Sequence, residues 1–273
     1  MTDSTPPLPQ FSRPPVLETH LGIQFSPMVG FKSGHFGLFW RDCVGLEGWK
    51  ISEDQLPIPT KTEKFGSKYL RTPPKEEPGF PKVLMRLTRE DGSQSVQFQP
   101  NRLVYGWKRN KHGCLPFGEV QRQFGETFGR LESFADQWRL GTPVPSLWEI
   151  TYTNVIHKGR LWDTPADWHR ILPGIFPPTL PSAEGHEWAT FTGNWIFDIV
   201  PERGRVEVQV QKSVPNQSGD IVLLLIITAR GEIGEKGSPD WHSGLSLGHQ
   251  SAVRVFHDLT SRDAHEEWGG SGS

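Results

Sequence analysis

Residues 94–138 read QSVQFQPNRLVYGWKRNKHGCLPFGEVQRQFGETFGRLESFADQW, and a change of hydrophobic period inside them decides the fold class. Over Gln94–Gln99 and again over Arg102–Lys108, apolar and polar residues alternate as in a strand with one buried face, and Pro100-Asn101 turns the chain between the two. From Phe117 the period lengthens. Val120, Phe124, Phe128, Leu131, Ala135 and Trp138 fall on one side of a 3.6-residue helix, which Gly141-Thr142-Pro143 stops. A hairpin followed by a long amphipathic helix predicts an α+β protein.

Working outward, Val16–Phe25 reads as a strand, with Leu17, Thr19, Leu21, Ile23 and Phe25 on one face. Ser33 is the expected N-cap of a short helix through Cys43, residues 52–82 form a long patternless loop, and residues 82–88 supply a further strand. The order then returns. Residues 147–156 place Trp148, Ile150, Tyr152, Asn154 and Ile156 on one strand face, and Thr164-Pro165 opens a short helix. Strands are expected over 187–200, 205–214 and 220–229, and a closing helix over 248–268. The expectation is two β-α-β-β-β-α halves with antiparallel sheets, 16–140 and 141–269, forming one pseudo-two-fold domain. A flexible Pro-rich arm (1–15) precedes them and a disordered tail (270–273) follows. That architecture is similar to TATA-binding-protein-like and helix-grip folds, an analogy that carries no function.

Ordered signatures add a resemblance. RPPVLETHLGIQFSP, HFGLFW, SVQFQPNRLVYGWKR, FADQW, WEITYTNVI and VFHDLTSRDAHEEWG run from Arg13 to Gly269. Together they resemble the sporadically distributed bacterial and archaeal proteins of roughly 250 residues whose function is unknown. The resemblance implies an accessory role, such as in a mobile-element or defence system, and no activity. Two positions depart from the family pattern: Gly106 stands where an Asn is usual, and Trp148 where a basic residue is expected.

Composition excludes several classes. The longest apolar run, Ile221 to Ile227, is too short to span a bilayer, and residues 1–15 lack the basic and apolar regions of an export signal. Cytoplasm, with no membrane partner, is the expectation by elimination. Cys43 and Cys114 read as two reduced thiols, and no phosphate loop or H-E-x-x-H occurs, so no cofactor or metal is expected. His249, His257 and His265 recur every eight residues, a spacing that turns them away from a common helix face. Gly244-Leu-Ser-Leu-Gly248 matches G-x-S-x-G, with Asp258 and His265 downstream. The residues before it read as loop and the sheet as antiparallel, so the match predicts a glycine-bounded helix start; a Ser246 hydrolase is the third functional reading.

Charge supplies the leading one. The net charge of −2 hides twelve Lys/Arg against five Asp/Glu in residues 60–112. Arg102, Lys108, Arg109 and Lys111 on the hairpin, with Lys64, Lys68 and Arg71 in the preceding loop, lie beside Phe65 and Tyr69. Cations interleaved with aromatics suit an anionic partner, nucleic acid or an acidic protein, and equally suit a solvated loop. Trp107 shares a face with Leu103 and Tyr105 and is expected in the core. Asn154, polar on an apolar face, either braces a loop or meets a ligand. The sequence therefore predicts a non-enzymatic binding or assembly protein with a basic surface. The alternative is a small-molecule pocket between the sheet halves.

Overall fold

In the computed structural model, β1 (Val16–Phe25) runs through the interior of a sheet, and its burial pattern shows why it belongs there. Leu21, Ile23 and Phe25 are almost wholly buried on one face, and the strand is paired along both edges. The structure describes residues 7–51, 58, 60, 65, 84–110, 113–176, 192–200, 203–213, 221–235 and 237–270.

After β1 come α1 (His35–Phe39), which passes into a π-helical turn over Trp40–Val44, and a short β2 (Trp49–Ile51). Next are β3 (Met85–Arg89), β4 (Gln94–Gln99), β5 (Arg102–Lys108) and α2 (Phe117–Gln137). The chain continues through β6 (Pro145–His157), a 3-10 turn over Pro165–Arg170, β7 (Thr192–Ile199), β8 (Gly204–Ser213) and β9 (Val222–Glu232). It closes with α3 (Trp241–Leu259) and α4 (Arg262–Glu267). All strand pairs are antiparallel, in the order β2-β3-β4-β5-β1-β6-β9-β8-β7.

The sheet is therefore single and nine-stranded. Two separate sheets, with a concavity between them, are not formed, because β1 and β6 hydrogen-bond edge to edge. α2 lies over β1 and β5, and α3 over β6, β8 and β9. The two helices meet where Phe124 and Phe128 of α2 contact the Trp241 ring, with centroids 5.4 and 5.8 Å apart. The core lies between this helical layer and one sheet face, with Trp107 in it at 4% exposure, as its strand position predicts.

Four sequence expectations need correction. The closing helix begins at Trp241, seven residues before the expected start, because Asp240 caps it by accepting the Ser243 N–H at 2.7 Å. It also breaks at Thr260, whose backbone is extended and whose hydroxyl returns to the Phe256 carbonyl (2.7 Å), so that Ser261 caps α4 as a separate helix. Ser33 does not cap α1; Gly34 holds that position without a side-chain bond. Of the arm read as free, residues 11–13 lie against α4. Ser12 N–H donates to Gly269 O (3.1 Å), Arg13 N–H to Trp268 O (2.9 Å), and the Phe11 ring meets Phe256 edge-on at 5.4 Å. Of the tail expected at 270–273, Gly270 is held by its N–H donating to His265 O (2.8 Å), while residues 271–273 and most of the 52–82 loop lie outside the described residues. No described helix is long and apolar enough to cross a membrane.

The cap gives a direct test. Asp240→Ala is expected to lower the unfolding free energy by about 1 kcal/mol, read from urea midpoints; an unchanged midpoint would show that α3 does not depend on this cap.

Candidate functional site

A cavity of about 910 Å³ opens between the helical layer and the sheet. Its floor is sheet: Val16 and Thr19 from β1, Tyr152 and Asn154 from β6, Ile227 from β9. Its roof is Phe117 and Val120 of α2 with His249, Ala252, Val253 and Phe256 of α3. Residues 8–14, Arg109, Asn110 and Gly113–Pro116 close the remaining sides. The volume lies in the range of small-molecule sites, and such sites are mostly apolar with a few fixed polar groups.

The polar groups are few and specific. Tyr152 Oη and His249 Nδ1 are 2.7 Å apart, and the imidazole stacks on the Phe117 ring at 4.1 Å. Burial lowers the His249 pKa to about 4 and raises that of the Tyr152 phenol, so both are neutral at pH 7. The two groups share this hydrogen bond, and the imidazole tautomer sets which of them donates. Asn154 is 1% exposed and donates from Nδ2 to Leu225 O at 2.9 Å, which leaves its carbonyl oxygen as an acceptor in the floor. Thr19 is 5% exposed and its hydroxyl makes no hydrogen bond among the described residues. Asn154 thus braces the neighbouring strand β9 rather than a loop, and its side chain lines the cavity.

Arg109 stands at the mouth. Its Nη2 donates to Pro14 O and its Nε to Cys114 Sγ (3.2 Å), while the Cys114 thiol donates to Val16 O (3.5 Å). The two cysteines are therefore unlike. Cys43 is 1% exposed and burial pushes its thiol up to about 12, whereas Cys114 is half-buried and lines the cavity. Iodoacetamide at neutral pH should alkylate Cys114 at least about tenfold faster than Cys43, measured by peptide mass spectrometry. Equal rates would contradict this placement.

The basic cluster read from the sequence is split by the strand. Arg109 faces the cavity, whereas Arg102 and Lys108 occupy the opposite sheet face. Arg102 is no surface contact: it is 3% exposed, donates to Gln24 Oε1 (3.2 Å) and pairs with Glu149 (3.5 Å). Glu149 continues to Arg230, and Arg230 pairs with Glu207, a charged row across the sheet. The buried cation is neutralised in place, the usual condition for burying charge at all. Lys108 is half-exposed and pairs with Glu18 at 3.3 Å. Lys64, Lys68, Arg71 and Lys111 lie outside the described residues.

The hydrolase constellation does not assemble. Ser246 lies inside α3, where its hydroxyl donates to His242 O (2.9 Å) and accepts from Gln121 (3.4 Å). Asp258 contacts His257, and His265 contacts Thr260. Gly244 and Gly248 serve packing instead, flanking the buried Trp148 indole. Of the three spaced histidines, His249 does turn away into the cavity. His257 and His265 stack at 4.5 Å because the break at Thr260 brings α4 back. Among the described residues no cluster of three or more His, Cys, Asp or Glu is placed to hold a metal.

Sequence reasoning missed His249, Thr19 and residues 8–14 as site components. The i, i+2 pair Tyr152 and Asn154 on one strand face was the legible signal. No family model, curated protein or solved structure matches the chain.

Proposed function

We propose that the protein is a non-enzymatic binding protein for a small, largely apolar molecule held in this cavity. One observation carries the reading: two buried polar side chains, Thr19 and Asn154, stand in a floor otherwise built from apolar and aromatic groups. The Thr19 hydroxyl and the Asn154 carbonyl oxygen offer a ligand two fixed polar contacts in an otherwise apolar floor. The Tyr152–His249 pair is neutral and internally bonded, which suits orienting a ligand better than moving a proton.

Organic extraction of protein purified from its native host, followed by mass spectrometry, should return a stoichiometric small molecule. Thr19→Val, which keeps the shape and removes the hydroxyl, should weaken its rebinding by about tenfold with the fold intact. A cavity that yields no ligand and a Thr19→Val variant with unchanged binding of every compound tested would sink the reading.

A basic contact surface for nucleic acid or an acidic protein is a second reading, supported by the charge excess of residues 60–112. Its test is binding to single- and double-stranded nucleic acid that weakens steeply as salt rises. We also propose membership of the sporadically distributed family, on the ordered signatures, and an internal duplication. The duplication is supported by strand order: β3, β4, β5 and β1 on one side of the β1–β6 junction answer β7, β8, β9 and β6 on the other.

A further inference from the structure

We propose that the ligand is an aliphatic monocarboxylic acid, with its carboxylate at Arg109 beneath residues 8–14 and its chain running between Ile227 and Ala252 toward Phe256. The proposal rests on the cavity being a ligand site. Among the described residues its lining contains two guanidinium groups, Arg13 and Arg109, and no Asp or Glu. Arg109 uses two of its five N–H donors, toward Pro14 O and Cys114 Sγ, which leaves a donor edge for a second partner. A planar fork matches a carboxylate with two parallel hydrogen bonds.

Two independent features at the same end point the same way. Thr19, 95% buried by its 5% exposure, holds a hydroxyl without a hydrogen bond among the described residues. It lies next to Arg109 on the β1–β5 ladder, since Thr19 faces Trp107 and the Arg109 amide bonds Leu17 O. The N-terminus of the 21-residue α2 also abuts the cavity, with Pro116 as N-cap and no side-chain cap on its free N–H groups. Such an end favours an anion. Glu119, the acid of that first turn, is turned to Arg122 and Gln123 and is not part of the lining. Beyond this end Val120, Ile227, Ala252 and Phe256 supply an apolar wall for a hydrocarbon chain, beside the polar groups of Tyr152, Asn154 and His249. The planar fork of Arg109, with Val120, Ile227, Ala252 and Phe256 beyond it, matches a carboxylate that carries an alkyl chain.

The test uses the full chain with decanoate, 1-decanol and decylamine, followed by titration calorimetry. Decanoate should bind about tenfold or more tighter than decanol, with decylamine weakest, and should slow Cys114 alkylation. Arg109→Gln should abolish the acid–alcohol difference while leaving decanol affinity within about twofold. If Arg109→Gln does not fold, Arg13→Gln at the exposed rim reads the same charge at about two- to threefold. The wild-type acid–alcohol ratio should also shrink with rising salt. Equal binding of acid and alcohol, or a preference untouched by both substitutions and by salt, overturns the carboxylate assignment alone. Failure of all three compounds while host extraction returns a different ligand also overturns only the assignment. Failure of all three with nothing extracted overturns the cavity reading as well.

Discussion

Gly244→Ala will destabilise the protein by about 2–3 kcal/mol, and the same substitution will become neutral or stabilising once Trp148 is replaced by alanine. The Trp148 indole is fully buried between the end of β6 and α3. A Cβ at Gly244 would meet it in all three of its nearest contacts, with Cγ and Nε1 each at 2.6 Å. Neither neighbour can yield cheaply, because the indole is also walled by Gly231 and Gly248, where an added Cβ would come within 2.5 Å of the ring. In a free helix the exchange of Gly for Ala gains about 1 kcal/mol, so a loss here is a packing effect that outweighs propensity. Trp148→Ala alone should cost about 3–5 kcal/mol through the lost transfer energy and the cavity left behind. Urea unfolding of the two single variants and the double variant measures the coupling. Strict additivity would mean that the indole and Gly244 do not share space.

The second large effect is acid sensitivity centred on His249. The folded chain holds its imidazole neutral, with the pKa lowered to about 4 by burial, while the unfolded chain protonates it near the ordinary value of 6.5. The unfolded state therefore binds the proton more readily, and acid favours unfolding. The contribution is complete above about pH 6.5 and is lost progressively as pH falls toward 4, by about 3 kcal/mol in all. His20 and His265 are shifted in the same direction by burial, so the wild-type slope will be steeper than one histidine accounts for. His249→Phe isolates the term: its urea midpoint should vary less than wild type between about pH 7 and pH 4.5. Parallel pH profiles for the two proteins would contradict the burial of His249.

Much of the fold was legible because hydrophobic period is local. β1, β4 and β5 have the bounds their alternation predicts, and α2 starts at Phe117 as its 3.6-residue stripe requires. The start of α3 was hidden. Residues 236–243 carry Gly, Pro, Asp and Ser, read as loop signals, yet Asp240 with Ser243 is a capping pair. The break at Thr260 was hidden for the opposite reason: the apolar spacing of Phe256, Ala264 and Trp268 runs across it undisturbed. Gly106 illustrates what pattern alone withholds. A Cβ there would come within 2.6 Å of the His20 ring, a conflict between residues 86 positions apart.

The basic cluster shows the same limit. Composition marks a cation but not its side of the sheet, and Arg102 and Arg109 differ by an odd number of residues, so a strand turns them to opposite faces. By itself the sequence determined an α+β chain, the apolar face of each principal strand and the long helix laid over them, since each depends on neighbours within a few residues. Only the tertiary structure decided that the strands form one sheet rather than two, because that rests on the pairing of β1 with β6 more than a hundred residues away. The same holds for the cavity. It draws Thr19, Asn154 and His249 from three elements and Arg109 from the segment after β5, and no periodicity within any one of them records the space the others leave.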